Sequence, residues 1–361
     1  MKIENYSLFQ LSKPINPPVR NSHRVMASVE HALIEVRSDG LSGVGFSFTN
    51  NTAHTSAILS VARDLLESIQ GEDAREERAL VRRMWERSAF IGREGITAMA
   101  VSMVDTALYD LAAKRAGLSL HRFLGALDDS VDAYMTGGWL SLSDEELIDE
   151  GLVAKEAGYR HYKIKLGRPD WRADVRRVEA LREALGSSVE VMVDGNQGWD
   201  RNRARQIGQA LEDLEIFWLE EPVRASDFDG LAELSRCLNL PVAAGENLFT
   251  AESFRRLASC GAVDIMMPDL MRCGGITEFM KVVEIADNTN TVLTSHFFPE
   301  VSCHLLAAAR TGNLVEVMPQ WWEGIFDGSP VIENGRIDLT DRDPGLGLEL
   351  SSTVRRHQVS P

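Results

Sequence analysis

Eight short β-rich runs between residues 131 and 317 constrain the fold of this chain more than any other feature. They alternate with amphipathic helical segments, a pattern typical of βα units around a parallel sheet. Eight such units close a (β/α)8 barrel, and a barrel of about 250 residues folds as one unit. The predicted strands are 131–136, 161–165, 190–194, 216–220, 242–246, 263–267, 291–296 and 314–317.

The segment before these runs has a different pattern. Residues 32–36 and 43–48 alternate apolar and polar side chains on either side of Ser38-Asp39-Gly40, which predicts a β-hairpin. Apolar residues then recur at helical spacing, and Gly117 ends the last of these helices. The predicted helices cover residues 53–69, 76–88 and 96–116.

This change of pattern indicates two domains. We predict an α/β protein in which residues 126–329 form the (β/α)8 barrel and residues 1–125 form an α+β domain. The tail, residues 330–361, contains the turn-forming Asp343-Pro344-Gly345. We expect the tail to return to the first domain.

Charge and cysteine usage exclude several functions. The net charge of −16 opposes binding to nucleic acid and to anionic membranes, so we expect a small molecule as the partner. The four cysteines form no CxxC pair, and no apolar run at the start resembles a signal peptide, so we expect a cytoplasmic protein. If the substrate is an anion, the site must supply positive charge locally.

Three carboxylates end consecutive predicted strands: Asp194, Glu220 and Glu246. The carboxyl ends of parallel strands meet at one face of a barrel, where catalytic groups gather. Three converging carboxylates, without thiolate or imidazole, favour Mg²⁺ over Zn²⁺. We predict one Mg²⁺ site here; the alternative is that each carboxylate caps a helix or pairs with a surface arginine.

Two lysines share one face of another predicted strand. Lys163 and Lys165 flank Ile164, so both ammonium groups point into the barrel mouth. Two like charges near a cation depress at least one pKa, and a lysine shifted in this way acts as a base.

A second base is predicted across the barrel. His296 ends the seventh predicted strand and Asp269 the sixth, so the carboxylate can hold the imidazole in one tautomer. Glu316, on the eighth strand, can when protonated donate a hydrogen bond to a carboxylate oxygen that gains charge. Together these groups suit removal of the α-proton of a carboxylate, which needs a metal, hydrogen-bond donors and a placed base.

These motifs resemble the mandelate racemase subgroup of the enolase superfamily, and the resemblance covers nearly the whole chain. Its most specific elements are the KxK motif, three metal-ligand segments, an Asp/His pair and a helix of the first domain. In this chain they are Lys163-Ile164-Lys165, Val193-Asp194-Gly195-Asn196-Gln197, Trp218-Leu219-Glu220-Glu221-Pro222, Gly245-Glu246-Asn247, Pro268-Asp269 with Gly274-Gly275, Ser295-His296, and residues 103–111.

The resemblance implies a role for each matching residue. Lys165 is the base on one face, and Lys163 contacts the substrate carboxylate and lowers the pKa of Lys165. His296 with Asp269 is the base or acid on the other face. Glu316 takes the acid role that binds the carboxylate, and Asn196 and Thr136 contact the substrate. The first domain becomes a cap whose loops near 14–25 and 47–54 close over the substrate, and assembly into dimers or octamers is implied.

The first cap loop is more polar than a mandelate-binding loop. Arg20, His23 and Arg24 can read hydroxyls or a second anionic group, or they belong to a solvated turn. Trp321 and Trp322, after the last strand, line the pocket or pack under the cap.

We therefore predict dehydration of a polyhydroxylated sugar acid, an aldonate or an aldarate. The close alternative is racemisation or epimerisation at the α-carbon, because two bases on opposite faces suit that reaction. A Schiff-base aldolase that uses Lys165 leaves the three carboxylates unexplained, and a non-catalytic scaffold leaves the whole set unexplained.

Overall fold

The computed structural model describes residues 2–359, and eight parallel strands in it form a closed ring. Each strand pairs with the next along the chain, and the last pairs with the first, with Leu314 opposite Asp132. The predicted (β/α)8 barrel is thereby confirmed. Its strands are β4 (Ser130–Thr136), β5 (His161–Lys165), β6 (Glu190–Asp194), β7 (Ile216–Glu220), β8 (Val242–Ala244), β9 (Ile265–Met266), β10 (Val292–Thr294) and β11 (Gly312–Val317).

Helices on the outside of the ring connect these strands. Several begin at a polar side chain that accepts a hydrogen bond from the first helical turn: Ser143 with Glu146 forms a capping box, and Asp170, Asp200 and Asp227 cap three others. The barrel helices are α5 (Asp144–Glu156), α6 (Trp171–Leu185), α7 (Arg201–Leu211), α8 (Phe228–Cys237), α9 (Thr250–Ser259), α10 (Leu270–Cys273), α11 (Ile276–Thr289) and α12 (Pro299–Leu306).

Three strands end earlier than predicted, so Glu246, Asp269 and His296 lie just beyond β8, β9 and β10. After β8 the chain turns at Gly245, whose φ of +142° does not continue a strand. After β9, Pro268 has no N–H for the ladder. The three side chains therefore sit in the loops of the barrel mouth.

The first domain is a sheet covered by helices. Its strands are β1 (Asn5–Arg20), β2 (Val25–Ser38) and β3 (Leu41–Asn50), and its helices are α1 (Thr55–Ile69), α2 (Glu77–Arg87), α3 (Ile96–Ala116) and α4 (Leu120–Leu124). The predicted hairpin turn at Asp39-Gly40 is present, with both residues at positive φ. The predicted loop near 14–25 is shorter in the structure, because β1 continues through Pro14 to Arg20. Its pairing with β2 is irregular between Pro14 and Val19.

The tail contacts both domains. Its residues form β12 (Phe326–Asp327), β13 (Ile332–Glu333), β14 (Arg336–Asp338), β15 (Glu349–Leu350), α13 (Ser352–Arg355) and β16 (Gln358–Val359). The β13–β14 hairpin pairs with β4 of the barrel, and β16 extends the first sheet beside Leu8 and Phe9 of β1.

Helix α3 joins the two domains. It is long and apolar enough to cross a membrane, but 89% of that window is buried inside the fold, as in a core helix. Asp105 on its buried face accepts hydrogen bonds from the Thr277 backbone and hydroxyl at the start of α11, at 2.9 and 2.6 Å. On its other side, Gly45 of β3 lies against the carbonyl of Met103. Because α3 contacts the sheet and the barrel at once, it fixes how the first domain sits on the barrel mouth.

The packing at Gly45 generates the first prediction. A Cβ at this position would lie 1.9 Å from the Met103 carbonyl oxygen, so Gly45→Ala must displace backbone. We expect it to lower the free energy of unfolding by about 3 kcal/mol or more in a urea titration. Ser42→Ala, on the same strand but half-buried, should change it by less than about 0.5 kcal/mol. Equal stability of the two variants would contradict the close packing of β3 on α3.

Candidate active site

Three buried carboxylates converge at the barrel mouth. Asp194 and Glu220 end β6 and β7 and are partners in the strand register, and Glu246 follows β8. One carboxylate oxygen from each residue lies within 4.8 Å of the others. Like charges this close inside a protein are stable only where cations offset them. The three carboxylates therefore require cations beside them.

The carboxylate cluster fits Mg²⁺. Glu246 Oε2 is buried and accepts no hydrogen bond within residues 2–359, although His296 Nε2 lies 3.2 Å away. Burial raises the pKa of Glu220 to about 8, since the opposing charge of the Lys163 ammonium is countered by the nearby carboxylate of Asp194. Both observations indicate a deficit of positive charge, and oxygen-only ligation suits Mg²⁺. Asp194, Glu220 and Glu246 are thus the residues that would hold the ion.

Both predicted lysines point into this cluster from β5. Lys163 Nζ lies 2.8 and 2.9 Å from the two carboxylate oxygens of Glu220 and 2.8 Å from Glu316 Oε1. Lys165 Nζ lies 2.5 Å from Asp194 Oδ2. Ile164 between them packs in the hydrophobic core outside the ring, as alternation along a strand requires.

The carboxylates around the two lysines raise the pKa of both, whereas the prediction of a lowered pKa assumes a cation beside them. Burial would lower the pKa of Lys163, but the carboxylates of Glu220 and Glu316 raise it well above its ordinary value. Burial likewise opposes the charge on Lys165, and Asp194 raises its pKa. The sequence showed two like charges side by side, whereas in the folded barrel each ammonium lies beside a carboxylate.

The Asp/His pair forms as predicted. Asp269 Oδ2 lies 2.7 Å from His296 Nδ1, and the two residues also form a backbone bridge between their loops. This contact leaves Nε2 directed toward the carboxylate cluster, 3.2 Å from Glu246. Burial would lower the pKa of this imidazole, but the surrounding carboxylates, Glu246 first, raise it to about 9.

Glu316 differs from its prediction. Burial would raise its pKa, but the Lys163 ammonium and then His296 lower it to about 2, so the group is a carboxylate rather than the predicted acid. Its oxygens accept hydrogen bonds from the Thr136 hydroxyl at 2.5 Å and the Phe297 N–H at 2.8 Å. Glu316 therefore holds Lys163 and the loop after β10 in place.

A small cavity of about 80 Å³ lies above the cluster. Lys165 and His296 line it, and so does Asn196, whose amide nitrogen donates to Asp194 Oδ2 at 2.9 Å. Thr136 instead lines a neighbouring cavity of about 400 Å³. The other residues around the small cavity are Asn21, Arg24, Met26, Phe48, Asn50, Trp139, Glu246, Arg272, Met318 and Trp321.

The structure separates the three polar residues predicted in the first cap loop. Arg24 lines the small cavity. His23 instead lines a separate depression beside Trp171, so it is not brought to the site. The Arg20 guanidinium donates to the Leu140 carbonyl at 3.3 Å, which fastens the β1–β2 hairpin to the loop after β4.

The two tryptophans after β11 have different places. Trp321 lines both cavities and forms an edge contact with Phe48 of the cap. Trp322 packs under the cap against His31 and Phe46.

Arg272 was not anticipated from the sequence. Its guanidinium lines the small cavity and donates to the Glu246 carbonyl at 2.9 Å and to Asn247 Oδ1 at 2.7 Å. Asn247 in turn donates to both carboxylate oxygens of Glu221, at 2.8 and 2.9 Å. The only available signal was a cation one turn after Asp269.

Two family profiles match most of the chain. The mandelate racemase/muconate lactonizing enzyme N-terminal domain matches residues 5–125, and the enolase C-terminal domain-like profile matches residues 147–354. The chain belongs to the mandelate racemase/muconate lactonizing enzyme family. The predicted resemblance is confirmed, and the chain is an enolase-superfamily enzyme.

Relatives in this family that catalyse different reactions have similar sequence identity to this chain. L-Talarate/galactarate dehydratase of Salmonella typhimurium LT2 is 35% identical over 98% of this chain and 90% of the relative. A 3,6-anhydro-alpha-L-galactonate cycloisomerase of Streptomyces coelicolor is 34% identical over 90% of each chain. Arabinonate dehydratase of Saccharolobus solfataricus is 31% identical over 88% of this chain and 87% of the relative.

A solved structure supports the metal assignment. The Salmonella dehydratase with Mg and L-lyxarohydroxamate superposes with a TM-score of 0.94 at 34% identity, covering 99% of this chain and 93% of the relative. The buried carboxylates of Asp194, Glu220 and Glu246 in this chain are suited to the same ion.

Metal binding provides the second prediction. Titration calorimetry should show one Mg²⁺ per wild-type chain, and Asp194→Asn should weaken binding by about 100-fold or more because a ligand charge is lost. Glu316→Gln, a buried carboxylate outside the cluster that contacts Glu220 only through Lys163, should weaken binding by no more than about 10–100-fold, the usual cost of changing a group that supports a ligand. The assignment fails if both variants bind Mg²⁺ as wild type does, or if Glu316→Gln is the weaker binder.

Proposed function

We propose that this enzyme is a Mg²⁺-dependent dehydratase that converts a sugar acid, an aldonate or aldarate, into a 2-keto-3-deoxy acid. One observation carries the proposal: Lys165 and the Asp269-paired His296 line the same small cavity directly above the carboxylate cluster. A base, an acid and a metal site thus face one substrate position. The names of two relatives, both sugar-acid dehydratases, point the same way.

The proposed reaction assigns one proton to each of the two groups. Lys165 Nζ, as the neutral amine, takes the α-proton of the substrate, and the electrons of that C–H bond form an enediolate. His296 Nε2 gives its proton to the β-hydroxyl, which leaves as water while the C–O bond breaks. The resulting enol tautomerises to the 2-keto acid, so the net change is loss of one water.

The substrate carboxylate gains negative charge during the first step, and this charge determines which groups must surround it. A bound Mg²⁺ would supply positive charge at the carboxylate cluster. Lys163 is fixed between Glu220 and Glu316, so it stays in place as charge develops, which is how preorganised groups stabilise a transition state.

The wall of the cavity supports a polyhydroxylated substrate. Asn21, Arg24, Asn50 and Asn196 contribute polar side chains to it. Within residues 2–359 the Arg24 guanidinium makes no ion pair or hydrogen bond. A cation left unpaired beside the reacting groups is suited to a second carboxylate, as in an aldarate.

Racemisation or epimerisation at the α-carbon is the second candidate. The same observation favours it, because Lys165 on β5 and His296 after β10 approach from different sides of the ring. Formation of a 2-keto product distinguishes dehydration from inversion, which conserves the hydroxyl.

We also propose that the enzyme acts in the cytoplasm as a homo-oligomer. Its four cysteines are free thiols, which suits a reducing compartment.

The reaction itself gives the third prediction. Against a library of mono- and diacid sugars, with semicarbazide detection of 2-keto acids, we expect activity that EDTA abolishes. Lys165→Ala should lower kcat by at least about 10²–10⁴-fold, the usual contribution of a placed base. Lys155→Ala, on the outer helix α5, should match wild type. Product that forms equally in Lys165→Ala would contradict the assignment of Lys165 as the base. Inactivation by borohydride that requires substrate and that EDTA leaves unchanged would favour the Schiff-base aldolase.

Arg24 gives the fourth prediction. Arg24→Gln should lower kcat/KM for a diacid sugar by about 10–100-fold, since a charged hydrogen bond contributes about 1.5–3 kcal/mol. The corresponding monoacid should be nearly unaffected. His23→Gln, the neighbouring residue that faces a different depression, should change neither value. An equal loss on both substrates would show that Arg24 does not read the second carboxylate.

A further inference from the structure

Four side chains form a chain of hydrogen bonds along one side of the barrel mouth, from α10 to the loop after β6. The Arg272 guanidinium donates to Asn247 Oδ1 at 2.7 Å, and Asn247 Nδ2 donates to both carboxylate oxygens of Glu221, at 2.9 and 2.8 Å. Gln197 Nε2 donates to Glu221 Oε2 at 3.1 Å. These contacts connect the loops that follow β6, β7 and β8 to the helix after β9. None of the four residues belongs to the carboxylate cluster, so their contribution is not direct metal ligation.

The Arg272 guanidinium fixes the direction of the Asn247 amide. A guanidinium only donates hydrogen bonds, so the Asn247 atom that faces it is the amide oxygen. The amide nitrogen then points the other way, to Glu221, and it also donates to Glu246 Oε1 at 3.0 Å. Loss of the guanidinium would remove the only donor to the amide oxygen in the described part of the chain and would free the amide to turn over.

Glu246 is the metal ligand that depends most on such support. Asp194 and Glu220 are the last residues of β6 and β7, so the ladder between these strands fixes their backbones. Glu246 instead lies two residues beyond the end of β8, after the turn at Gly245. Arg272 holds its backbone there, because the guanidinium donates to the Glu246 carbonyl at 2.9 Å.

The two carboxylate oxygens of Glu246 have different surroundings. Oε1 accepts the hydrogen bond from Asn247, whereas Oε2 accepts none within residues 2–359. The groups that hold the other atoms of a metal ligand orient it toward the ion. The contacts of Arg272 and Asn247 therefore leave Oε2 as the oxygen that is available to the ion.

We propose that Arg272 is a positioning residue for Mg²⁺, which acts through Asn247 and the Glu246 carbonyl to hold the one ligand that no strand holds. This inference rests on the metal assignment and not on the proposed reaction. The backbone N–H of Arg272 also donates to Asp269 Oδ1 at 2.8 Å, and the other carboxylate oxygen of Asp269 contacts His296. One residue therefore joins the metal site to the Asp/His pair.

The positive charge of Arg272 has the opposite effect on metal binding. Its Nη1 atom lies 3.8 Å from Glu246 Oε1, and a cation so close to the site repels Mg²⁺. A residue that acted through its charge alone would weaken metal binding, and its replacement by a neutral residue would strengthen it. Arg272→Lys separates the two effects, because the charge is kept while the shorter lysine lacks the planar group that contacts both acceptors.

Mg²⁺ binding to the purified full-length chain tests the proposal, measured by titration calorimetry without substrate so that the result does not depend on the proposed reaction. Arg272→Lys and Asn247→Ala should each weaken binding by about 10–100-fold, the usual cost of changing a group that supports a ligand. Because both residues act on one ligand, the double variant should bind within about threefold of the weaker single variant, not at the product of the two losses. Arg272→Gln should also weaken binding, against the direction expected from its charge.

Arg168→Lys is the matched control. The Arg168 side chain is 23% exposed and that of Arg272 is 20% exposed, but Arg168 pairs with Asp144 and Asp174 outside the chain of hydrogen bonds. This variant should bind Mg²⁺ as wild type does, and thermal unfolding in EDTA should show that every variant is folded.

Three results would overturn the proposal: Arg272→Lys that binds Mg²⁺ as tightly as wild type, losses that multiply in the double variant, or an equal loss in Arg168→Lys. A wild type that binds no Mg²⁺ would overturn the metal assignment and this proposal together.

Discussion

The buried charge network at the barrel mouth is the interaction on which the site depends. Lys163 is held between Glu220 and Glu316, and Lys165 lies beside Asp194, with all five side chains buried. Removing one partner from such a network leaves an uncompensated charge in a low-dielectric interior, which is far more costly than losing a surface ion pair. The strand order of a parallel barrel satisfies the network, because β5, β6 and β7 are neighbours in the ring and their ends meet.

The cap is connected to this network through aromatic contacts. Phe48 of the cap sheet lies 5.0 Å from the Phe297 ring, and Phe297 stacks on His296 at 5.8 Å. The Phe297 N–H also donates to Glu316. Phe297 of the barrel thus contacts the cap, the His296 imidazole and the Glu316 carboxylate. The cap and the predicted bases are therefore connected through one continuous set of packed side chains.

The barrel and the meeting of the three carboxylates at one face could be predicted because both depend on periodic local patterns. Alternating strands and helices place Asp194 and its neighbours at one face whatever the details of packing. The protonation state of Glu316 was not predictable, since it depends on the Lys163 ammonium, which lies far away in sequence. The second half of β1 was predicted as a loop because its prolines favour one, and the pairing partners on β2 that override them are distant in sequence. His23 was predicted to contact the substrate but lies elsewhere, because adjacent residues on a turn point to different sides of the chain.

The central claim is that a metal site and Lys165 together remove an α-proton, and hydrogen exchange tests it most directly. The His296→Asn variant, mixed in D₂O with a panel of sugar acids, would be followed by proton NMR with Mg²⁺ and with EDTA. The account predicts loss of the α-proton signal of at least one acid, without dehydration, only when Mg²⁺ is present. Retention of every α-proton signal with Mg²⁺ bound, or exchange that continues in EDTA, would contradict it.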